Sequence, residues 1–409
     1  MAFMALALAS VFSAQALFAA QVKTGLDTLV ESNFSLLSGK KIGLITNHTG
    51  KDRQGRGAVE LLALAPGVEL RAVFSPEHGF MGASEENVVD SDTIRLGGKD
   101  IPVYSLYRGG MAGMRPTPEQ LAGLDALVFD IQDIGARFYT YLASMAMGLE
   151  EAKKAGIEFI VLDRPNPING IALEGPVLED ISLRQVTPTA YFAVPVRHGM
   201  TAGEIALLHN AEVQHPRLHV VKLEGWRREL WYDEIGLPWI PPSPNMPDLE
   251  AATLYPGIGL FEASNISVGR GTPLPFRWVG APWMNGDRIV KRLRKAQRRG
   301  ALPGIEFEVQ NYTPSKNVHQ DKACSGVRMR VTDRLRLRPL EVFRQLHQAL
   351  RATHPKDFAW KWGEARKMTG SDRFETLCRQ GCSDSALERL FERGLPEFAA
   401  RRRPFLLYE

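Results

Sequence analysis

The sequence predicts an α/β protein with an open, doubly wound, mostly parallel sheet and a second, smaller α+β domain. The chain has 409 residues, which exceeds one ordinary core of ~100–150 residues and indicates about two domains. Buried-strand patterns alternate with helical patterns up to about residue 165. The pattern changes after about residue 190, so we expect a sheet domain over 21–190 and the α+β domain over 191–409.

The strands of the first domain are predicted by five apolar runs. Nearly continuous apolar runs are typical of strands covered on both faces, as in a parallel sheet. Helices are predicted between them: Thr117 and Pro118 open one, and another runs from Tyr141 to Lys154 and stops at Gly156. The five runs are 41–46, 69–74, 101–104, 126–129 and 158–162.

The second domain mixes helical and strand-like segments. It opens with a capping box, Thr201 to Glu204, and continues through a stretch rich in proline and glycine over 238–275. Helices are then predicted over 287–299, 340–352 and 385–393, and strands over 305–309 and 327–331.

Residues 1–20 carry no charge and form an apolar run shorter than a membrane span. Ala14-Gln15-Ala16 fits a signal-peptidase site, with Ala20 as a second candidate end. We expect a signal peptide over 1–20 and a periplasmic or secreted protein. A basic n-region is missing, which points to a start further upstream, and a buried N-terminal helix is the alternative. No other segment is long and apolar enough to predict a membrane span.

Composition excludes several functional classes. Fifty Lys and Arg face 46 Asp and Glu, and this net charge of +4 is too small to predict nucleic-acid binding. Three cysteines cannot form an even-numbered disulfide framework. Cys378 and Cys382 have C-x₃-C spacing, but no neighbouring Cys or His completes a zinc site, so no metal is expected. Whether this pair forms a disulfide stays open.

Polar side chains follow four of the predicted strands. Parallel strands of a doubly wound sheet point their carboxyl ends to one edge, where ligands bind. We therefore expect these side chains to converge on one pocket. After the first and second strands they are Asn47, His48, Glu77 and His78; after the fourth and fifth they are Asp130, Gln132, Asp133, Arg137, Tyr139, Tyr141, Asp163, Arg164 and Asn166.

These residue types favour glycoside cleavage. The chain lacks the dinucleotide fingerprint, the P-loop and the nucleophile elbow, which removes the main support for nucleotide-binding and α/β-hydrolase functions. Glycoside cleavage needs one carboxylic acid and a second group that stabilises or attacks the anomeric centre. Glu77, after a strand and a proline, is the strongest candidate. Its alternative role is to accept backbone N–H bonds from its own turn.

The second domain contributes one dense polar segment. Residues 255–272 carry Glu262, Asn265 and Arg270 between glycines, and they follow a proline-rich segment that contains Asn245. We expect this segment to close over the pocket of the first domain. The alternative is a hairpin or a bulged loop, since loops rich in glycine are common.

Several long strings resemble the exo-β-N-acetylmuramidases of the NamZ type. They are GLITNHTG (43–50), FSPEHGF (74–80), FDIQDIGARFYTY (129–141), LDRPNPING (162–170) and LFEASNISVGRGT (260–272). The resemblance covers roughly 22–409. It implies a Rossmann-like N-terminal domain, a smaller C-terminal domain and an active site between them. It also implies hydrolysis that releases N-acetylmuramic acid from the non-reducing ends of peptidoglycan fragments, without a metal or organic cofactor.

The resemblance assigns a catalytic glutamate to Glu77. The second catalytic role is open among His78, Asp133, Tyr139 and Glu262. N-acetylmuramic acid carries a lactyl carboxylate, which an arginine can bind, so Arg137, Arg164 or Arg270 is expected to hold it. The other hypothesis is a non-catalytic periplasmic protein that binds muropeptides or other sugars in the same cleft. The expected substrate-binding residues are Asn47, His48, Asp130, Gln132, Arg137, Tyr141, Asp163, Arg164, Asn166, Asn245, Asn265 and Arg270.

Overall fold

The computed structural model describes residues 21–85 and 92–409. The signal peptide expected over 1–20 lies outside these residues. Within the described ranges, no helix has the length and apolar character needed to cross a membrane.

A seven-stranded sheet forms the first domain, in the order β3-β4-β2-β1-β5-β6-β7. All neighbours pair in parallel except β3 and β4, which form an antiparallel hairpin at one edge. Strand order reverses between β1 and β5, so this is the point where a doubly wound sheet offers a ligand crevice. The strands are β1 (Lys41–Thr46), β2 (Glu69–Ser75), β3 (Asp92–Leu96), β4 (Lys99–Ser105), β5 (Ala126–Asp130), β6 (Glu158–Leu162) and β7 (Leu218–Val221).

Both faces of this sheet are covered, as the continuous apolar runs predict. Ile42 and Leu44 pack with α1 (Gly25–Glu31) and α2 (Ala58–Ala63) on one face. Ile45 belongs to the core on the other face, with α4 (Tyr141–Ala155) and α5 (Ala202–Val213). The short α3 (Pro118–Leu121) packs against α4. The doubly wound α/β prediction is therefore confirmed.

Local signals explain where these helices begin and end. Thr117 and Thr201 each accept a backbone N–H three residues on, and both make complete capping boxes. Gly156 ends α4 in the left-handed conformation, with φ 67°. The sheet, however, continues past the expected boundary at residue 190, because β7 over Leu218–Val221 pairs with β6. Strand β7 is only four residues long and partly exposed, so its apolar pattern is weak.

The second domain is smaller and α+β, as predicted. Its antiparallel sheet has the order β8-β10-β9, with β8 (Trp278–Ala281), β9 (Ile305–Tyr312) and β10 (Cys324–Val331). Helices α6 and α8 pack together, and α7 covers β9. Its helices are α6 (Leu249–Ile258), α7 (Gly286–Gln297), α8 (Pro339–Thr353), α9 (Trp362–Thr369), α10 (Arg373–Arg379), α11 (Asp384–Glu392) and α12 (Leu395–Arg402).

The segment 255–272 forms helical turns and a loop that line the cleft, not the alternative hairpin. Tyr255 lies in the last turn of α6, and a 3₁₀ helix follows over Gly259–Ala263. The chain then loops through Arg270 to β8. Gly257 and Gly259 serve close packing here: a Cβ at Gly257 would meet the Pro339 carbonyl oxygen at 1.9 Å. Apolar helix packing, rather than a turn, therefore accounts for these glycines.

Residues 407–409 return from the second domain to the first. The Leu407 N–H donates to Glu204 Oε1 at 2.9 Å, and the Tyr408 hydroxyl donates to Asp163 Oδ2 at 2.6 Å. The Glu409 carbonyl accepts the Arg228 N–H at 2.8 Å. The end of β6 and the start of α5 are thus completed by residues more than 200 positions further along the chain.

Candidate active site

A cleft of about 510 Å³ lies beside the carboxyl edge of the seven-stranded sheet, and both domains line it. Four carboxylates reach it: Glu77 and Glu85 from the first domain, Glu262 and Glu364 from the second. Aromatic side chains form much of the remaining surface, namely Phe138, Tyr139, Tyr141, Tyr255 and Phe276. Carboxylates beside aromatic rings suit a sugar, which offers both hydroxyl groups and apolar ring faces.

Glu77 enters the cleft from a tight turn that directly follows β2. The Gly79 N–H donates to the Pro76 carbonyl at 3.0 Å, and His78 and Gly79 both have positive φ, 71° and 75°. The His78 ring bonds the Ser84 carbonyl through Nδ1 at 2.6 Å and so stabilises the loop. His78 lines the cleft, but its polar contact is with the backbone.

Two hydroxyl groups hold the Glu77 carboxylate. The Tyr107 hydroxyl donates to Oε1 at 2.9 Å, and the Thr140 hydroxyl donates to Oε2 at 2.5 Å. Burial raises the pKa of Tyr107 above its usual range, and the adjacent Glu77 raises it further, so Tyr107 stays a donor. Both donors are side-chain hydroxyls. These contacts therefore differ from the alternative role of Glu77, in which it accepts N–H bonds from its own turn.

The second domain places an ion pair in the cleft. Arg270 Nε donates to Glu262 Oε1 at 2.6 Å, and the guanidinium lies over the Phe276 ring at 5.2 Å. Burial opposes the charge of Arg270, but Glu262 outweighs it and raises the Arg270 pKa. Nearby, Glu85 accepts from Asn245 Nδ2 at 2.8 Å and from Lys316 Nζ at 3.1 Å. Asn245 therefore orients a carboxylate of the cleft.

Tyr139 and Tyr141 lie side by side, with ring centroids 4.9 Å apart. The Tyr141 hydroxyl donates to the Pro242 carbonyl at 2.5 Å. The Tyr139 hydroxyl, in a residue only 7% exposed, lies near the hydroxyls of Ser243 and Tyr141 but makes no well-aligned hydrogen bond with a described residue. Burial raises the pKa of both tyrosines above the usual range, so both hydroxyls keep their protons. A buried hydroxyl that faces a cleft without a partner is free to bond a ligand.

Three charged residues that we expected to bind substrate lie beneath the cleft and are fully bonded there. Arg164 bonds Asp130 through Nε at 2.5 Å and Nη2 at 2.9 Å, and both side chains are buried. Asp163 accepts the Gly203 N–H and the hydroxyls of Thr201 and Tyr408. None of the three lines the cleft, and their contacts hold strand ends together, so substrate binding by these residues stays a prediction.

Arg137 is also buried rather than presented to the cleft. Its guanidinium donates to the carbonyls of Pro176, Val194 and Met368, at 2.8, 2.9 and 2.5 Å. Because Met368 belongs to the second domain, Arg137 joins the two domains through backbone oxygens. Of the three arginines expected to bind a carboxylate, only Arg270 lines the cleft.

The remaining predicted polar residues have local partners. Gln132 donates to the Asp133 and Pro165 carbonyls, Asn166 to the Met200 carbonyl, and Asn265 to the Asp357 carbonyl. Asn47 Oδ1 accepts from Thr49, and His48 bonds the Pro241 carbonyl at 2.7 Å. None of these five lines the cleft. They shape the loops at the sheet edge, and their assignment as substrate ligands stays a prediction.

Asp133 is buried just behind the cleft. Its Oδ2 accepts the Gly135 N–H at 2.7 Å, and its Oδ1 has no partner among the described residues. Burial raises the pKa of Asp133 to about 7. Asp133 does not line the cleft, so its position does not support a direct catalytic role.

Tyr107, Thr140, Glu85 and Tyr255 were missed at the level of sequence. Tyr107 follows β4, and the polar residue after this strand repeats the pattern found at the four others. Thr140 stands between two residues that the pattern selects, Tyr139 and Tyr141. Glu85 gives no signal, because it reaches the cleft through contacts with Asn245 and Lys316, far away in sequence.

The fold and the cleft define a class: a two-domain α/β protein with a carboxylate-rich, aromatic-lined site between its domains. Family models named "Exo-beta-N-acetylmuramidase NamZ" match this chain over both halves, the N-terminal model at 42–250 and the C-terminal model at 253–408. The chain belongs to this family.

Relatives and solved structures agree. The chain is 38% identical over 395 residues to the peptidoglycan β-N-acetylmuramidase NamZ of Bacillus subtilis (strain 168), across 95% of this chain and 92% of that protein. Crystal structures of two DUF1343 family proteins from Bacteroides fragilis NCTC 9343 are also similar. They have TM-scores of 0.85 and 0.71, with 33% and 28% identity, and each comparison covers 95% of this chain and 99% of the other.

Proposed function

We propose that this protein is an exo-acting β-N-acetylmuramidase that releases N-acetylmuramic acid from the non-reducing ends of peptidoglycan fragments. The observation that carries the proposal is that NamZ family models match both domains, and the cleft between these domains contains Glu77. The near-full-length similarity to a peptidoglycan β-N-acetylmuramidase supports the substrate class.

Glu77 is proposed to protonate the glycosidic oxygen as the bond to the leaving sugar breaks. Tyr107 and Thr140 fix both oxygens of its carboxyl group, which supports a precise position for proton transfer. The positive charge that develops at the anomeric carbon needs a second group. Glu262 lines the cleft from the other domain and suits this role; the acetamido oxygen of the substrate is the alternative.

Arg270 is proposed to bind the lactyl carboxylate of the substrate. Its Nε is used by Glu262, but its two Nη groups donate to no acceptor among the described residues. These groups leave a planar pair of donors, which matches a carboxylate. Its position over Phe276 keeps the guanidinium plane fixed.

Hydrolysis of para-nitrophenyl β-N-acetylmuramic acid, compared with the N-acetylglucosamine analogue that lacks the lactyl group, tests this proposal. We expect release from the muramic compound and little or none from the analogue. Arg270→Met should lower kcat/KM for the muramic compound ~10–100-fold, the value of a hydrogen bond to a charged group, and Arg270→Lys should lower it less. Equal release from both compounds would remove Arg270 from this role. Binding without turnover would instead favour a sugar-binding protein.

We further propose that the protein is exported after cleavage behind Ala16 or Ala20. The uncharged apolar run and the small residues at its end support this. Mass spectrometry of the N-terminus, on protein recovered from outside the cytoplasm, checks it. Protein that keeps residues 1–20 and stays in the cytoplasm would contradict export.

A further inference from the structure

Two cysteines and a histidine meet in the second domain, outside the cleft. Cys378 lies in the last turn of α10, and Cys382 lies between α10 and α11. Their Sγ atoms are 2.7 Å apart, and Nε2 of His347, on α8, lies 3.9 Å from the Cys378 sulfur. The third cysteine, Cys324, is elsewhere and bonds the Lys322 carbonyl. Sequence spacing cannot reveal this cluster, because His347 is 31 residues from Cys378.

The backbone between the two cysteines is held against α8. Gln348 donates to the Cys382 carbonyl at 2.6 Å, and Arg351 donates to the Gly381 carbonyl at 3.1 Å. Cys382 itself adopts a positive φ of 53°, which turns its side chain back toward α10. These contacts keep the two sulfurs together without any covalent bond between them.

His347 is fully buried in an aromatic surrounding. Its ring stacks on Phe343, with centroids 5.9 Å apart and an interplanar angle of 2°, and it also contacts Phe358, Trp360 and Phe374. Burial lowers the pKa of His347, so the imidazole is neutral and has a nitrogen that accepts a proton. The pKa of the Cys382 thiol is lowered, first by the S–H of Cys378 and then by His347.

We propose that Cys378 and Cys382 form an oxidisable dithiol that closes into a disulfide next to His347. In the reaction, one cysteine thiolate attacks a small external disulfide, R–S–S–R, and expels one R–S⁻. The other cysteine then attacks the sulfur of the first cysteine in this mixed disulfide, which forms the Cys378–Cys382 bond and expels the second R–S⁻. The two thiols lose two protons and two electrons, and the external disulfide becomes two R–SH. The pKa of the Cys382 thiol is lowered and that of the Cys378 thiol is raised, so Cys382 supplies the first thiolate and receives the external group.

The geometry favours this bond over a metal ion. Two thiolates on one tetrahedral zinc ion lie about 3.8 Å apart, from Zn–S bonds of about 2.3 Å, whereas these sulfurs are much closer. Among the described residues, the cluster offers three ligand atoms and no fourth. A disulfide requires a Cα arrangement that brings the sulfurs to about 2.0 Å, and only a small further approach is needed.

The bond would tie the end of α10 to the loop before α11, which Gln348 and Arg351 of α8 already hold. Phe374 of α10 contacts Trp360 and Trp362, and the preceding helix, α9, carries Glu364 and Met368 into the cleft. Glu77, Glu262 and Arg270, which are proposed to act on the substrate, lie outside this cluster. We therefore expect closure to change the stability of the protein and not the rate of hydrolysis.

Thiol labelling of the full chain tests the proposal. Fully reduced protein is incubated with oxidised glutathione, unfolded, labelled with N-ethylmaleimide and mapped by mass spectrometry. We expect label on Cys324 only, and on all three cysteines after reduction. Cys324→Ser should leave closure unchanged, whereas Cys378→Ser should leave Cys382 open to label or glutathione. Closure should raise Tm by ~2–4 °C, and His347→Gln should slow closure about tenfold.

Three results would overturn the proposal. The first is label on all three cysteines after oxidation, and the second is a glutathione adduct on Cys382 that never resolves. The third is one equivalent of zinc in the purified protein, lost in Cys378→Ser, which would make the cluster a metal site. An unchanged closure rate in His347→Gln would remove the histidine from the reaction.

Discussion

The cleft and the layer of side chains directly beneath it contain the same residue types. In the lower layer these side chains bond to the protein, whereas in the cleft they are available to a ligand. Below the cleft, Arg164 and Asp130 share two hydrogen bonds, and neither side chain is more than 4% exposed. In the cleft, Arg270 pairs with Glu262 through one nitrogen only, and both side chains are about one quarter exposed. The buried pair therefore shares two hydrogen bonds, whereas the pair in the cleft shares one and leaves both Nη groups of Arg270 without an acceptor among the described residues.

The contrast shows where a ligand can bind at this sheet edge. The crevice between β1 and β5 is the expected ligand position in a doubly wound sheet, but here Thr46 donates to the Asp130 carbonyl and closes it. The usable space lies one layer further out, where the loop after β2 and the second domain face each other. The polar residues at the switch point support that space rather than fill it.

Glu77→Gln should have the largest effect on the cleft. Loss of a general acid costs on the order of 10²–10⁴ in rate, so we expect kcat to fall by that factor while Tm stays nearly constant. Glu364→Gln is the matched control, since Glu364 lines the same cleft but is exposed and pairs with Lys367. Steady-state kinetics of both variants checks this, and a kcat for Glu77→Gln within a few-fold of wild type would exclude Glu77 as the acid.

Asp130→Asn should have the largest effect on the lower layer. Removing one partner of a buried pair leaves the Arg164 charge uncompensated, which costs about 3–5 kcal/mol of unfolding free energy. Glu179→Gln, which breaks an exposed pair with Arg373, should cost less than about 1 kcal/mol. Denaturant unfolding of the two variants measures both values. Equal, small losses would mean that the lower layer does not hold the strand ends.

The variants Tyr139→Phe and Tyr141→Phe test the same contrast with two neighbouring hydroxyls. The Tyr139 hydroxyl makes no well-aligned hydrogen bond within residues 21–85 and 92–409, so we expect its removal to keep Tm and to lower kcat/KM by about tenfold through a lost bond to substrate. The Tyr141 hydroxyl bonds the Pro242 carbonyl, so its removal should cost about 1 kcal/mol of stability. A stability loss in the first variant, with unchanged kinetics, would reverse the assignment.

Asp133→Asn should have the smallest effect, visible as a pH dependence. Because burial raises the pKa of Asp133 to about 7, its contribution to stability is present at low pH and is lost as pH rises through that value. The variant lacks this titration, so its Tm relative to wild type should be higher at about pH 8 than at about pH 5. A constant difference across this range would show that Asp133 titrates near its ordinary pKa.

The sequence predicted the sheet more completely than the site. Strands β1 and β6 have the predicted bounds, because continuous apolar runs flanked by polar residues mark a strand buried on both faces. The short β7 and the helix α6 were missed, since β7 is weakly apolar and α6 contains Pro256. Glu77, Tyr139 and Tyr141 were found because polar residues follow buried strands.

The same rule also selected Asp130, Asp163 and Arg164, and sequence alone could not separate the two groups. Their difference depends on partners that fold to them from elsewhere, such as Tyr408 for Asp163. The residue types are identical in both groups, so composition carries no signal of whether a donor is already used. Only the three-dimensional arrangement shows which arginine keeps free nitrogens.

The return of residues 407–409 to the first domain sets an order for folding during synthesis. Asp163 and Glu204 acquire their partners Tyr408 and Leu407 only after more than 200 further residues have been made. Until then the carboxylate of Asp163, which is buried in the finished protein, has no hydroxyl from Tyr408. The seven-stranded sheet thus begins with β1 at Lys41 and its edge is completed by residues 407–409, so a nascent chain reaches its full stability only after these residues have been made.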